Sequence, residues 1–296
     1  MTRVLTNQKQ FVRTVRSQYL GDRMRQLREQ RELSVKYVAA YLGVEEATLG
    51  RCERAEWPFR HDHVASLLDA FELYDDAERA RMLDLAQQAW RINEWQRTDD
   101  QRPGTAGGQV VINEWWLLNR ASELFVYGHL LVPPAVQTRE YAEAIARHTI
   151  NDPRHGDKYV GRLLDRQQAL EDRKPPTRLE ILIDEPALHR PIGGRLVLQQ
   201  QLRHLNNLVG DRPHVKVRVL PTRTGWHPGL DGAFTVCAMH RPYSPVVLVE
   251  HHNGRLVIEA GAGHQYLDTF EKLRDIAMSP AESQALINTL AEELHP

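Results

Sequence analysis

The chain has 296 residues, of which 42% are hydrophobic, and this is enough to build the cores of two ordinary domains. No apolar run approaches the roughly 18 residues needed to cross a bilayer, the first residues lack the apolar stretch of a signal peptide, and two distant cysteines, Cys52 and Cys237, exclude a disulfide framework. The net charge is −1, yet Met1–Arg60 holds twelve Lys or Arg against seven Asp or Glu, and this local +5 is typical of either a polyanion-binding surface or a solubilising tail. We expect a cytoplasmic protein.

The chain begins with a basic segment, residues 1–19, which contains Arg3, Lys9, Arg13 and Arg16 and no acidic residue. We interpret this segment as an N-terminal arm. It could follow a DNA groove beside a reading helix, form an extra dimerisation helix, or be a disordered tail.

Residues 20–95 are predicted to form an all-α domain of five short helices, because their apolar residues recur at helical spacing. Ser34 is a good N-cap for the second helix, and Gly43 lies where the next turn needs a positive φ. Ala39 supplies a small residue for close helix packing. The expected helices cover about 20–31, 34–42, 45–54, the region of 64–71, and 75–90, where Leu83, Ala86 and Trp90 are spaced for one face.

A polar stretch, residues 96–109, reads QRTDDQRPGTAGGQ and is typical of a flexible linker. Residues 110–296 then mix helices and strands, so we expect an α+β domain with a small mixed sheet flanked by helices. Helices are predicted over about 113–127, 138–148, 158–172, 195–209, 266–278 and 280–294, and strands over 177–184, 215–220, 233–239 and 246–250.

Two short helices joined by a glycine turn predict a DNA-binding shape, in which the second helix enters the major groove. The stretch LGDRMRQLREQRELSVKYVAAYLGVEEATLGRCERAEW, residues 20–57, resembles the XRE family of lambda-repressor and Cro type. The resemblance implies a sequence-specific regulator. It assigns a structural ion pair to Arg28 and Glu53, and DNA-binding positions to Ser34, Glu46, Ala47, Thr48, Gly50, Arg51 and Arg54.

The chemistry of these side chains fits base reading. Arg51 can donate to guanine O6 and N7, Glu46 can accept from cytosine N4, and Ala47 can contact a thymine methyl group. Three residues depart from the family pattern: Glu45 replaces the usual Ser or Thr cap, Gly50 replaces a Ser within the helix, and Ala55 replaces the Gly that ends it. These departures bear on operator sequence and affinity.

The second half resembles the domain of unknown function that follows XRE modules in actinobacterial WhiJ-like regulators. The resemblance rests on LLVPPAVQTREYA, RLLDRQ, IDEPALHRPIGG, LQQQLRHL, VKVRVLPTRTGWHPGLDGAFTV, VVLVE and LRDIAMSPAESQALI. It implies a module that receives a ligand or a small partner protein encoded nearby. Candidate residues for this contact are Arg166, Gln167, Glu185, Trp226 and His227.

Enzyme chemistry is not expected, since no nucleophile elbow, phosphate loop or dinucleotide fingerprint is present. The residues that could perform acid–base work near strand ends are Asp184, Glu185, His189, His227, Asp231 and Glu250. Metal binding and cofactors are not expected either, because the side chains of Cys237 and His240, and those of the adjacent His251 and His252, diverge on extended backbone.

The sequence therefore predicts a DNA-binding transcription regulator of the repressor type that binds a double-stranded operator as a homodimer. The alternative is an antitoxin-like interaction protein that controls a neighbouring gene product and binds DNA mainly to regulate itself.

Overall fold

The computed structural model describes residues 13–89, 94–96, 114–251 and 254–294. These residues fall into two compact units: the first contains 13–89 and 94–96, and the second contains 114–251 and 254–294. The predicted arm over residues 1–12, the linker over 97–109, and Trp90 lie outside the described residues.

The described part of the first unit has the predicted five helices, packed around one apolar core. Fully buried side chains from every helix meet there, because each helix carries its apolar residues on one face. The elements are α1 (Val15–Gln30), α2 (Val35–Leu42), α3 (Glu46–Glu53), α4 (His61–Ala70), α5 (Asp76–Gln88) and a three-residue strand, β1 (Glu94–Gln96).

The first helix begins at Val15 and not at Leu20, so the prediction of its start was wrong. Thr14 caps α1 by accepting a hydrogen bond from the amide of Ser17 at 3.0 Å, and its hydroxyl donates to the carbonyl oxygen of Ala89 at 2.5 Å. Val15 and Arg16 are almost completely buried. The last residues of the predicted arm therefore belong to the packed helical unit, because tertiary burial extends a helix that the apolar spacing alone places later.

On α5 the buried stripe consists of Met82 and Leu85, which are both fully buried, while the predicted inward residues Leu83 and Ala86 are only partly buried. The helix itself was predicted correctly, but its orientation was wrong by about one residue, or 100° of rotation. Both sets of residues have helical spacing, so periodicity alone could not choose between them.

The second unit is an α+β domain, as predicted, with a mixed sheet flanked by helices. In its described residues, six strands lie in the order β7-β6-β5-β2-β3-β4. The strands are β2 (Ala121–Gly128), β3 (Arg178–Asp184), β4 (Val215–Leu220), β5 (Phe234–Met239), β6 (Val246–His251) and β7 (Gly254–Ile258). The helices are α6 (Glu114–Arg120), α7 (Arg139–Thr149), α8 (Pro153–Asp172), α9 (Glu185–His189), α10 (Arg195–Asp211), α11 (Gly261–Ile276) and α12 (Pro280–Glu293).

The sheet is divided into a parallel half and an antiparallel half. Strands β2, β3 and β4 run parallel, whereas β5 is antiparallel to β2, and β6 and β7 continue the antiparallel half. Because β4 lies at one edge and β5 pairs with β2, the chain between them crosses the carboxyl ends of β3 and β2. We call this connection, residues 221–233, the crossing loop. It contains two 3-10 turns, Thr222–Thr224 and Pro228–Asp231.

The predicted helix over 113–127 was wrong in its second half, where the structure has strand β2. Trp115 and Leu118 are three residues apart, as on one face of a helix, which is why the pattern favoured one. Pairing on both sides, with β3 and with β5, determines the strand instead. Strand β7 and the five-residue helix α9 were not predicted, because both are too short to show a period.

Helices α7 and α12 of this unit begin at side-chain caps. Thr138 accepts from the amide of Tyr141, and Ser279 and Glu282 form a reciprocal capping box at the start of α12. Helix α11 packs on β2, β4, β5 and β6, while α10 and α12 pack on each other and on β4. In the part of the chain that the structure describes, no helix combines the length and the apolarity needed to cross a bilayer.

Candidate functional site

A buried ion pair fixes α3 to the rest of the helical unit. The guanidinium of Arg28 donates from Nε to Glu53 Oε1 at 2.7 Å and from Nη2 to Oε2 at 3.0 Å, and its Nη1 donates to the carbonyl oxygen of Leu33 at 2.9 Å. The two side chains are only 9% and 7% exposed. The hydrogen bond to Glu53 raises the pKa of Arg28. The structure thus contains the ion pair that the family resemblance implies, and it joins α1 to the end of α3.

The turn between α2 and α3 has the expected local chemistry. The Ser34 hydroxyl accepts a hydrogen bond from the amide of Tyr37 at 3.1 Å and so caps α2. Gly43 adopts φ +66° directly after α2, a backbone conformation that is unfavourable for residues with a Cβ. Glu45 occupies the N-cap position of α3 but makes no side-chain cap hydrogen bond. Ser34 therefore acts as a cap here, in addition to lying at a predicted DNA-contact position.

The outward face of α3 presents side chains that the domain itself does not use. Glu46, Ala47 and Arg51 are exposed, and Thr48 is half-buried, while Leu49 on the opposite face is almost fully buried. Within the described residues, the Arg51 guanidinium makes no hydrogen bond or ion pair. Several other arginines of the unit are engaged by carboxylates, so an unengaged guanidinium on this face is available to an external acceptor.

Gly50 and Arg54, two further predicted DNA-binding positions, are in contact. A Cβ at Gly50 would lie 3.1 Å from Arg54 Nη1, so the missing side chain leaves room for the guanidinium against the helix. Arg54 also donates to both carboxylate oxygens of Glu56, at 3.1 and 3.2 Å, and this contact lowers the pKa of Glu56. Gly50 thus accommodates an arginine of the same helix, an arrangement that its spacing in the sequence does not indicate.

Two backbone features of the unit were not anticipated. Gly21 of α1 lies against the end of α3, where a Cβ would come within 2.6 Å of the carbonyl oxygen of Glu53 and 2.8 Å of that of Cys52. Gly21 is thus a second small residue that allows close helix packing, in addition to the predicted Ala39, which is also buried. Ala55 adopts φ +51°, the left-handed conformation for which the family pattern has Gly. The glycine in the predicted first helix could have indicated the close approach at Gly21.

In the second unit, Gln167, one of the two predicted ligand-contact residues of α8, contacts the segment after β2. Gln167 donates its amide to the carbonyl oxygens of Pro134 and Gln137, at 2.7 and 3.0 Å. Arg166 lies beside it on the same helix and is half-buried. Gln167 therefore holds the turn that precedes α7, which is a structural use of a residue proposed for ligand contact.

Glu185 supports the crossing loop at its start. Its Oε2 accepts a hydrogen bond from the amide of Thr222 at 2.7 Å, and its Oε1 lies 3.8 Å from His189 Nε2. Of the other acid–base candidates, Asp231 is exposed within the crossing loop, and Glu250 forms an ion pair with Arg255 on the neighbouring strand. These four positions do not form one cluster of acids and bases.

Asp184 and His227, by contrast, are brought together at the end of β3. Asp184 accepts a hydrogen bond at Oδ2 from the Tyr127 hydroxyl at 2.8 Å, and its Oδ1 lies 3.6 Å from His227 Nε2. His129 Nε2 lies 3.8 Å from Oδ2. Asp184 is 4% exposed and His227 is 6% exposed, and burial raises the pKa of Asp184. We call Tyr127, His129, Asp184 and His227 the strand-end cluster.

The remaining candidates are a metal site and an exposed loop residue. Among residues 13–89, 94–96, 114–251 and 254–294, no group of three His, Cys, Asp or Glu side chains is arranged to hold a metal ion. His252 lies outside these residues, and Cys237 is fully buried on β5. Trp226 of the crossing loop is 80% exposed and lines a groove with His227 and Pro228, opposite Thr269, Lys272 and Ile276 of α11.

The chain matches known protein families. The family described as a domain of unknown function (DUF5753) matches residues 116–289, more than half of the chain. The chain belongs to this family. A second model, described as a helix-turn-helix domain, matches residues 19–82, from α1 into α5, and it indicates a DNA-binding regulator. No curated protein and no solved structure matches the chain.

Within the DUF5753 domain, sequence reasoning identified Asp184 and His227 but missed Tyr127 and His129. Both missed residues lie at the end of β2, which the periodicity had assigned to a helix. Had β2 been recognised as a strand parallel to β3, the shared carboxyl edge would have placed Tyr127 near Asp184. The error in one element therefore concealed half of the strand-end cluster.

Proposed function

We propose that the protein is a sequence-specific transcription regulator of XRE type, which binds operator DNA through the outward face of α3. The observation that carries the proposal is the availability of this face. Arg51 is exposed and makes no hydrogen bond or ion pair within the described residues, whereas the inward face of the helix is fixed by Leu49 and by the Arg28–Glu53 pair.

The side chains on this face can distinguish base pairs. A guanidinium at Arg51 can donate two hydrogen bonds to guanine, which is the commonest specific contact in the major groove. The Glu46 carboxylate can accept from cytosine N4, and the Ala47 methyl can pack on a thymine methyl. Arg54, which lies beside Gly50, would have to exchange its Glu56 partner for a phosphate, a contact that fixes position but not sequence.

We further propose that the protein acts as a homodimer. One helix-turn-helix reads only a few base pairs, and two copies that bind half-sites about one helical turn apart would raise the specificity ratio. The DUF5753 domain would then change DNA binding by receiving a small ligand or a small partner protein, which favours one spacing of the two reading heads.

A footprint of the full chain on the DNA upstream of its own gene tests the proposal. We expect a protected site with two related half-sites, and an affinity that falls steeply between 50 and 200 mM salt, by roughly 10³-fold if about six phosphates are contacted. Absence of protection on duplexes of any sequence would contradict the proposal. A flat salt response together with a tight one-to-one complex with a neighbouring gene product would favour the antitoxin-like alternative.

A further inference from the structure

Large apolar side chains are exposed on the crossing loop and at the end of α11. Trp226 is 80% exposed, the highest value among the large hydrophobic residues of the described chain, and Leu230 and Ile276 are 42% and 43% exposed. The second 3-10 turn of the loop packs on α11. Single exposed apolar residues are common, but a group of them on one surface usually marks a binding site. We call the following residues the loop–helix face: Trp226, Pro228, Leu230, Asp268, Thr269, Lys272, Asp275 and Ile276.

The crossing loop holds Trp226 in place, although the side chain itself is exposed. Before it, the Thr222 amide donates to the Glu185 carboxylate at 2.7 Å. After it, a Cβ at Gly229 would lie 2.5 to 2.7 Å from the Tyr127 ring and hydroxyl, so the loop backbone rests directly on this side chain. A loop that is already ordered spares a binding partner most of the entropy cost of ordering it. Trp226 therefore has the properties of a preorganised anchor.

The loop–helix face offers both a protruding side chain and a groove that can receive one. The groove is lined by Trp226 and Pro228 of the loop and by Thr269, Lys272 and Ile276 of α11, and its volume is about 320 Å³. This volume is in the range of pockets that hold small molecules, so the groove can admit an indole ring. A surface that carries an anchor and a recess for the same anchor is complementary to a second copy of itself about a two-fold axis.

The charged residues on this side of the domain have both signs, which favours a second copy over a partner of one sign. Lys272 lines the groove, and the exposed Asp268 and Asp275 lie four residues before it and three after it, on the same side of α11. The crossing loop adds the exposed Arg223 and Asp231. Two copies of α11 packed antiparallel would bring Lys272 of each copy next to a carboxylate of the other. A strongly acidic or basic partner would instead meet like charges here.

The extent of the surface matches a two-fold interface of standard size. Residues 221–233 and 268–278 include about 20 that are exposed or half-buried, and a stable interface uses roughly 20–30 residues and about 800 Å² on each side. The large apolar side chains lie beside charged residues on the same helix and loop. A tryptophan surrounded by polar side chains is the usual arrangement at the centre of such an interface.

We propose that two copies of this chain associate through the loop–helix face, with Trp226 of each copy inserted in the groove of the other. The inference rests on the proposed function, because it assigns the homodimer of that proposal to one surface of the DUF5753 domain. Apolar contact at Trp226 and Ile276 supplies most of the affinity, and the pairs between Lys272 and the aspartates of the second copy set the orientation.

Sedimentation equilibrium of the full chain tests the proposal. We expect a dimer of 34.1 kDa chains with a Kd of about 1 µM or tighter. Trp226→Ala should raise this Kd by about tenfold or more. Because the side chain is 80% exposed, the fold should be unaffected, and thermal unfolding checks this. Trp57→Ala, at a 56% exposed tryptophan of the helical unit, is the matched control and should leave the Kd unchanged.

Three results of this measurement would overturn the inference. The first is a chain that stays monomeric at about 100 µM. The second is a dimer that is as tight in Trp226→Ala as in the wild type. The third is an equal loss of affinity in the Trp57→Ala control.

A charge exchange tests which residues face each other across the axis. Lys272→Glu makes this side of α11 wholly acidic, and Asp268→Lys with Asp275→Lys makes it wholly basic. Each variant should dimerise about tenfold more weakly than the wild type, whereas their one-to-one mixture should recover most of the affinity. Effects within one helix are the same in the mixture, so recovery there comes from contact between copies. A mixture that associates no better than either variant alone would overturn the inference.

The outcome can be separated from that of the DNA-binding proposal. A protein that protects an operator with two half-sites, but whose dimer does not depend on Trp226, refutes only the loop–helix face. A protein whose dimer depends on Trp226 but which protects no DNA refutes only the proposed regulator.

Discussion

The helix-turn-helix unit presents its candidate binding residues on an exposed helix, whereas the DUF5753 domain has its most unusual polar atoms beneath a loop. On α3 the charged side chains face outward, and the buried ion pair, Arg28–Glu53, is fully hydrogen-bonded. At the end of β3 the opposite holds, since Asp184 is buried with one oxygen unpaired. The two buried groups therefore differ in how completely the fold satisfies them, and we expect their removal to change stability in opposite directions.

The largest effect is expected where burial serves stability. Arg28→Ala should reduce the free energy of unfolding of the helical unit by roughly 3–5 kcal/mol, because it leaves the Glu53 carboxylate buried without its partner. Chemical denaturation of the full chain measures the change. The double variant Arg28→Met with Glu53→Leu is the control and should recover most of the loss. A loss below about 1 kcal/mol in the single variant would mean that the pair is effectively a surface pair.

In the strand-end cluster, we expect the buried charged group to lower the free energy of unfolding. Burial raises the pKa of Asp184 in the folded state above its value in the unfolded chain, so the folded state binds the extra proton more tightly. Stability should therefore fall as the pH rises from the ordinary Asp range through the raised pKa, and the carboxylate should be destabilising at neutral pH. The groups facing it are Tyr127, His129 and His227.

Asp184→Asn should consequently raise the free energy of unfolding at pH 7, by on the order of 1 kcal/mol, and the gain should shrink towards pH 4. Thermal unfolding of both proteins across this pH range checks the prediction. If the variant is less stable than the wild type at every pH, Asp184 is a structural residue like Arg28, and the contrast between the two regions fails.

A smaller effect is expected at Ser34, which caps α2 and also lies at a predicted DNA-contact position. Ser34→Ala should cost about 1 kcal/mol of stability, because it removes the acceptor for the Tyr37 amide at the start of α2. Ser34→Asp keeps the cap and should preserve stability, while its negative charge should weaken DNA binding. Denaturation and DNA titration of both variants make the comparison. Stability that is unchanged in Ser34→Ala would show that the cap is unimportant.

The first unit could be predicted in detail from the sequence because its site lies on a helix. Helical spacing assigned Leu49 to the core and Arg51 to the surface, and the structure agrees. Periodicity gave the wrong start for α1 and the wrong face of α5, since neither Val15 nor Met82 could be distinguished from its neighbours without knowledge of what packs against it.

The strand-end cluster could be predicted only in part. Asp184 is the last residue of a recognisable strand, but its neighbours depend on strand order and on a parallel pairing between residues more than fifty positions apart. Tyr127 was missed because its strand had been predicted as a helix. The contact of Gly229 with the Tyr127 ring depends on the path of the crossing loop. Long-range pairing of this kind leaves no local period in the sequence.

The central claim, that the outward face of α3 reads DNA, is tested most directly by comparing two arginines. Arg51→Ala should weaken specific operator binding by about 1–3 kcal/mol and relax discrimination at one base pair. Arg81→Ala, at an exposed arginine of α5 that also makes no ion pair within the described residues, should leave both nearly unchanged. If the two variants bind the operator with the same affinity and sequence preference as the wild type, α3 is not the reading helix and the account is wrong.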